Sequence, residues 1–175
     1  MSQAETPDRR STLVLGLGNP ILGDDGVGWH VIDELVRRAA SEPRVRDALR
    51  DVELDRLAVG GLELMERLVG YDRAVIVDAM IGGAEVGSVS AQPLEEVAGR
   101  LAGHLDSAHD VTLTLALSAG RALGAELPKD ITVVGIGVSI VDEFDDRLTP
   151  EVAVAIGPAV ESVLALLLRA PIRVG

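Results

Sequence analysis

No cysteine occurs in the 175-residue chain, which removes disulfides and thiolate metal sites from consideration. Aromatic residues number three, Trp29, Tyr71 and Phe144, so the core has to be aliphatic and stacking platforms for nucleic-acid bases are all but excluded. Positive charge is scarce too: 16 Lys and Arg stand against 28 Asp and Glu, a formal net charge of −12. No cluster of cations offsets it, and that balance opposes a nucleic-acid or anionic-membrane partner. Long apolar runs are also missing. Residues 1–10 are polar and lack the apolar stretch of a signal peptide, and no later segment gives 18 uninterrupted apolar residues. The expectation is a cytoplasmic protein, with a polar tail over 1–11 and a single domain over 12–170.

What is present is concentrated in residues 12–28, Thr-Leu-Val-Leu-Gly-Leu-Gly-Asn-Pro-Ile-Leu-Gly-Asp-Asp-Gly-Val-Gly. Leu13, Val14 and Leu15 suit a short buried parallel strand, and Gly16, Gly18 and Gly23 open conformations closed to residues with a Cβ. A dinucleotide fingerprint would need its third glycine at position 21, which is Ile21. Asp24 and Asp25 would also set two carboxylates where a pyrophosphate expects amide donors and a positive helix end. A cation or cationic group is the better guest. Either carboxylate could instead cap the helix that starts near Gly26; for Asp24 that use ranks ahead of positioning a water.

The rest of the chain alternates strands and helices. Val27, Val31, Ile32, Leu35 and Val36 predict a helix over 27–39 that carries His30, read as a solvent-facing or packing residue. A polar stretch from Ser41 to Arg50 leads to a strand over 52–59, then Gly60-Gly61 and a short helix over 62–68 ending near Gly70. Ala74 to Val77 predict a third buried strand stopped by Asp78, a carboxylate where open α/β sheets bind ligands. An edge strand over 86–92 and a helix over 94–101 follow. Ser107-Ala108-His109-Asp110 reads as a capping box opening a helix to about Leu123, which puts His109 in a first turn, where the helix dipole favours the neutral ring that a metal needs. A strand over 131–138 and a helix from Thr149-Pro150-Glu151 to about Arg169, kinked at Pro158, complete the chain. Val152, Ile156, Val163, Leu164 and Leu167 are its expected inward face. Such alternation predicts a parallel-rich sheet with helices on both faces.

Asp25 after strand one, Asp78 after strand three and His109 at a helix start can converge on one edge of a parallel sheet. Two carboxylates and an imidazole are an incomplete shell for a divalent ion such as Zn²⁺ or Ni²⁺, with the remaining ligands left to water or substrate. On spacing alone His104 could stand in for His109.

The motifs Gly16-Leu17-Gly18-Asn19-Pro20-Ile21-Leu22-Gly23-Asp24-Asp25-Gly26-Val27-Gly28, Val77-Asp78-Ala79 and Ser107-Ala108-His109-Asp110 resemble those of the hydrogenase maturation proteases, over almost the whole chain. The resemblance implies an endopeptidase that removes a C-terminal extension from the large-subunit precursor of a NiFe-hydrogenase after nickel insertion. It implies metal-binding positions at Asp25, Asp78 and His109, with catalysis expected from Asp25, Asp78 and Asp24 around that ion. It also implies a phosphorylase/hydrolase-like three-layer α/β sandwich with a twisted, mostly parallel five-stranded sheet. Nickel would come with the precursor, and no tightly bound cofactor is expected.

One departure stands out. Many members of the family carry Asp-Gly-Gly-Thr after strand two, where an ungapped alignment places Arg56-Leu57-Ala58-Val59. Asp55, one position earlier, could substitute only by a slip that flips the strand's side chains. Two other functions compete. Gly16 to Pro20 also open peptidyl-tRNA hydrolases, though the acidic balance and the twin aspartates oppose tRNA. A non-catalytic checkpoint of the nickel site is the other. No His-Glu-x-x-His and no Gly-x-Ser-x-Gly occurs, so zincin and serine-elbow chemistry are not expected.

Overall fold

The computed structural model describes residues 10–58, 62–82, 84–101, 108–139 and 144–169. Five strands form one sheet: β1 (Arg10–Leu17), β2 (Val52–Leu57), β3 (Tyr71–Ile81), β4 (Val89–Pro93) and β5 (Asp130–Val138). Their order is β2-β1-β3-β5-β4, all parallel except the edge pair of β4 with β5. Among the described residues six α-helices flank it: α1 (Val27–Ser41), α2 (Pro43–Ala48), α3 (Leu62–Leu68), α4 (Leu94–Leu101), α5 (Ala108–Ala122) and α6 (Pro150–Leu168).

Strand side chains alternate between two aliphatic cores, as the pleat requires. Val14, Val75, Val77, Val134 and Ile136 bury against α1, α2 and α6. Leu13, Leu15, Ala74, Ile76, Ile131 and Val133 bury with Leu64, Leu68, Val97 and Leu117 of α3, α4 and α5. The result is the three-layer sandwich with a mostly parallel sheet that the sequence predicts.

Several local expectations are corrected. β3 does not stop at Asp78; it runs to Ile81, because β5 continues to pair with it from Asp78↔Gly135 to Ile81↔Val138 after β1 has left at Gly16↔Val77. The polar stretch after Ser41 holds α2, whose single buried residue, Val45, is too little to show as a periodic pattern. On α1, Val36 is exposed; on α6, Leu166 is buried as well as Leu164, and Leu167 is partly buried against the same core. Pro158 lies inside α6, on its exposed side. Residues 1–9 of the expected tail, His104 and Ser107, expected as a cap, lie outside the described residues.

Candidate active site

Strand order reverses direction between β1 and β3: the chain leaves β1 toward β2 on one side and returns to β3 on the other. Open α/β sheets bind ligands in the crevice at the carboxyl ends of such a strand pair. The glycine loop that follows β1 closes this crevice from one side.

The loop owes its shape to contacts that tolerate no side chain. A Cβ on Gly16 would lie 2.4 Å from the Gly28 carbonyl oxygen, and one on Gly28 would lie 2.3 Å from that of Leu17 and 2.5 Å from that of Val77. Gly18 adopts φ +118°, and its Cβ would meet the Asp25 carbonyl oxygen at 1.8 Å. The start of α1 therefore rests directly on the backbone of β1 and β3. Within the loop, Ile21 N donates to Asn19 Oδ1 at 3.2 Å and Leu22 N to the Asn19 carbonyl at 3.0 Å, the local bonding that suits Asn to turns.

The two adjacent aspartates point their oxygens to different places. Asp25, partly buried, accepts the Asn19 N–H on Oδ2 at 2.6 Å. Asp24 is 7% exposed. Its Oδ1 accepts the Thr149 N–H at 2.7 Å and its Oδ2 the Thr149 hydroxyl at 2.8 Å. The expectation that Asp24 caps α1 is thus corrected: a 3₁₀ turn over Gly23–Gly26 precedes α1, Gly26 holds its N-cap position, and neither element has a side-chain cap. Sequence reading could not find Thr149, which lies 125 residues from Asp24. The local signal there, Thr-Pro-Glu, announced only a helix start.

Asp78 sits on β3 one residue past the last β1 partner, so it borders the gap left where β1 turns away. Its neighbours on the same face, Ile76 and Met80, join the core under α3, α4 and α5. Its Oδ1 accepts the N–H of Ala79 at 2.9 Å. His109 is the second residue of α5. That helix packs against α3 and α4 and shares, through Leu117, the core that Ile76 enters.

At the neighbouring end of β2, each charge has a counter-charge. Arg56 pairs with Asp33 of α1. Asp55 pairs with Arg67 of α3, which also reaches Glu53 at 3.5 Å. Asp55 stays in register opposite Leu15, with no slip toward the crevice. Trp29 closes this side, its indole N–H donating to the Leu57 carbonyl at 3.4 Å. On the far side of the loop, Asp145 is hydrogen-bonded by the Arg147 guanidinium and amide, which hold its carboxyl below the usual range.

Residues 30–166 match the family model described as hydrogenase maturation protease. The chain belongs to that family. The matched region begins after the glycine loop, so it is independent of the motif at 16–28. Hydrogenase 2 maturation protease of Escherichia coli K12 is 33% identical over 159 residues, 89% of each chain. The solved hydrogenase maturating endopeptidase HybD from E. coli superposes with a TM-score of 0.72 at 31% identity, covering 90% of this chain and 91% of that one. HybD of Thermococcus kodakarensis, a NiFe-hydrogenase maturation protease, gives 0.64 at 26% identity over 90% and 99%. This member of the family is accordingly a peptidase, and both the peptidyl-tRNA hydrolase and the non-catalytic checkpoint readings fall away.

Proposed function

We propose that this protease removes the C-terminal extension of a NiFe-hydrogenase large-subunit precursor once nickel is in place, and that it reads the nickel through Asp25, Asp78 and His109. The observation that carries the reading is that Asp25 lies in the 3₁₀ turn that follows β1 and Asp78 on β3, the two strands that flank the switch point. Two carboxylates and one imidazole, with no thiolate in the chain, suit a divalent ion but would hold it loosely. Nickel already bound to a precursor would gain these ligands as a second set, so that the ion itself joins the two proteins and signals that insertion is finished. An ion held there supplies Lewis acidity toward the scissile carbonyl or an attacking water. The chain's own part is to orient. The Asn19 amide fixes one Asp25 oxygen, and the Ala79 amide fixes one Asp78 oxygen.

The test compares cleavage of nickel-loaded and nickel-free precursor, with products identified by mass spectrometry. The loaded precursor should be cut, and Asp25→Asn, Asp78→Asn and His109→Ala should abolish that preference while retaining the circular dichroism of the wild type. Equal cleavage of both precursors by the wild-type protein would overturn nickel recognition and leave the peptidase assignment standing.

A further inference from the structure

Asp24 is the one buried charged residue among those described. A carboxylate removed from water is costly unless donors replace the water. Here Thr149 supplies two, at 2.7 and 2.8 Å, at the start of a 19-residue helix whose dipole favours an anion at that end. Thr149 holds the N-cap position of α6 yet makes no side-chain bond to its own helix, although a threonine there ordinarily accepts from an amide of the first turn. Its hydroxyl is turned outward to Asp24 instead.

A second tie lies beside the first. Leu22 and Asp145 form a β-bridge, and Gly23 N donates to the Asp145 carbonyl. Residues 22–24 are thereby stitched to 145–149. The anchor is rigid, since Val152, Ala155, Ala159 and Val160 of α6 are buried in the core.

We propose that Thr149 is a positioning residue for cleavage: it holds Asp24 with two hydrogen bonds, and Asp24 fixes the 3₁₀ turn from which Asp25 faces the crevice. The inference rests on the reading of Asp25 given above. It explains why two adjacent carboxylates can coexist there: one is directed into the start of α6, which leaves the other to the crevice.

The experiment compares Thr149→Val, Thr149→Ser, Asp24→Ala and the Thr149→Val/Asp24→Ala double variant in the full chain. It measures kcat and KM on nickel-loaded precursor and amide hydrogen exchange of the free protein. Thr149→Val should lower kcat by about 10- to 100-fold, the usual cost of losing a partner that orients a ligand, with KM changed less than about threefold. Exchange over residues 19–28 should rise while that of residues 155–166 stays as in the wild type. Thr149→Ser should restore both, and the double variant should be no worse than the worse single variant, as expected for two residues acting through one contact. Wild-type exchange and kcat in Thr149→Val, no rescue by Thr149→Ser, or additive losses in the double variant would each overturn the proposal. Failure of the underlying reading has another signature: Asp25→Asn would then cut at the wild-type rate, whereas failure of this proposal leaves Asp25→Asn inactive and Thr149→Val like the wild type.

Discussion

The carboxyl ends of β1 and β2 are neighbours in the sheet, yet they treat their carboxylates in opposite ways. Beyond β1, Asp24 and Asp25 accept hydrogen bonds from two amides and a hydroxyl. At the end of β2, Asp55 is paired with Arg67, and Arg56 with Asp33. Amides and hydroxyls orient a carboxylate without cancelling its charge, whereas a guanidinium cancels it. On the function proposed above, that difference favours a cation at the first end over the second. Proximity to the crevice is therefore a poor guide to function unless the partners of each charge are known.

The severest challenge to the β1 end is steric. Gly28→Val would drive a branched side chain into the Leu17 and Val77 carbonyl oxygens, 2.3 and 2.5 Å from its Cβ. A loss of more than about 3 kcal/mol in urea unfolding is expected, in the range of overpacking with backbone displacement. A loss below about 1 kcal/mol would show that the junction yields, and that the loop is not fixed by its glycines.

Asp25→Asn and Asp55→Asn test the contrast in charge directly. The first should reduce cleavage of nickel-loaded precursor at least about 100-fold. The second, whose carboxylate is occupied by Arg67, should stay within about twofold. Comparable losses would erase the distinction between the two strand ends.

Removing the cations gives a smaller effect. Arg56→Ala and Arg67→Ala, at pairs partly open to solvent, should each cost less than about 1 kcal/mol, shrinking as salt is raised. Cleavage should be unaffected in both.

The smallest effect concerns Glu34 on α1. Hydrogen bonds from Arg37, then Arg38, hold its carboxyl down to about 2 from an ordinary 4.5. A carboxyl depressed in the folded state contributes its stability above the unfolded value and loses it as the pH falls through the folded one. Glu34→Gln should thus be slightly less stable than the wild type at pH 7, and the gap should close as the pH is lowered from about 4.5 toward 2. A gap that widens in acid would contradict the ion-pair account.

How much could be read in advance depended on the range of the interaction. The α3, α4 and β5 segments and the start of α6 were legible because apolar spacing and Gly, Pro or Thr punctuation act over a few residues. The length of β3 was not, because its last residues are set by pairing with β5 rather than by their own pattern. Asp24 was visible as a capping carboxylate, but the helix it serves was not.

The sequence by itself determined the alternating α/β order, the aliphatic core, the glycine loop with its paired carboxylates and the family, since each is carried by residue type and local spacing. Only the tertiary structure decided which charges are cancelled and which are merely oriented. Arg67 reaches Asp55 across 12 residues and Thr149 reaches Asp24 across 125. Those partners meet only because strand order and helix packing bring them together.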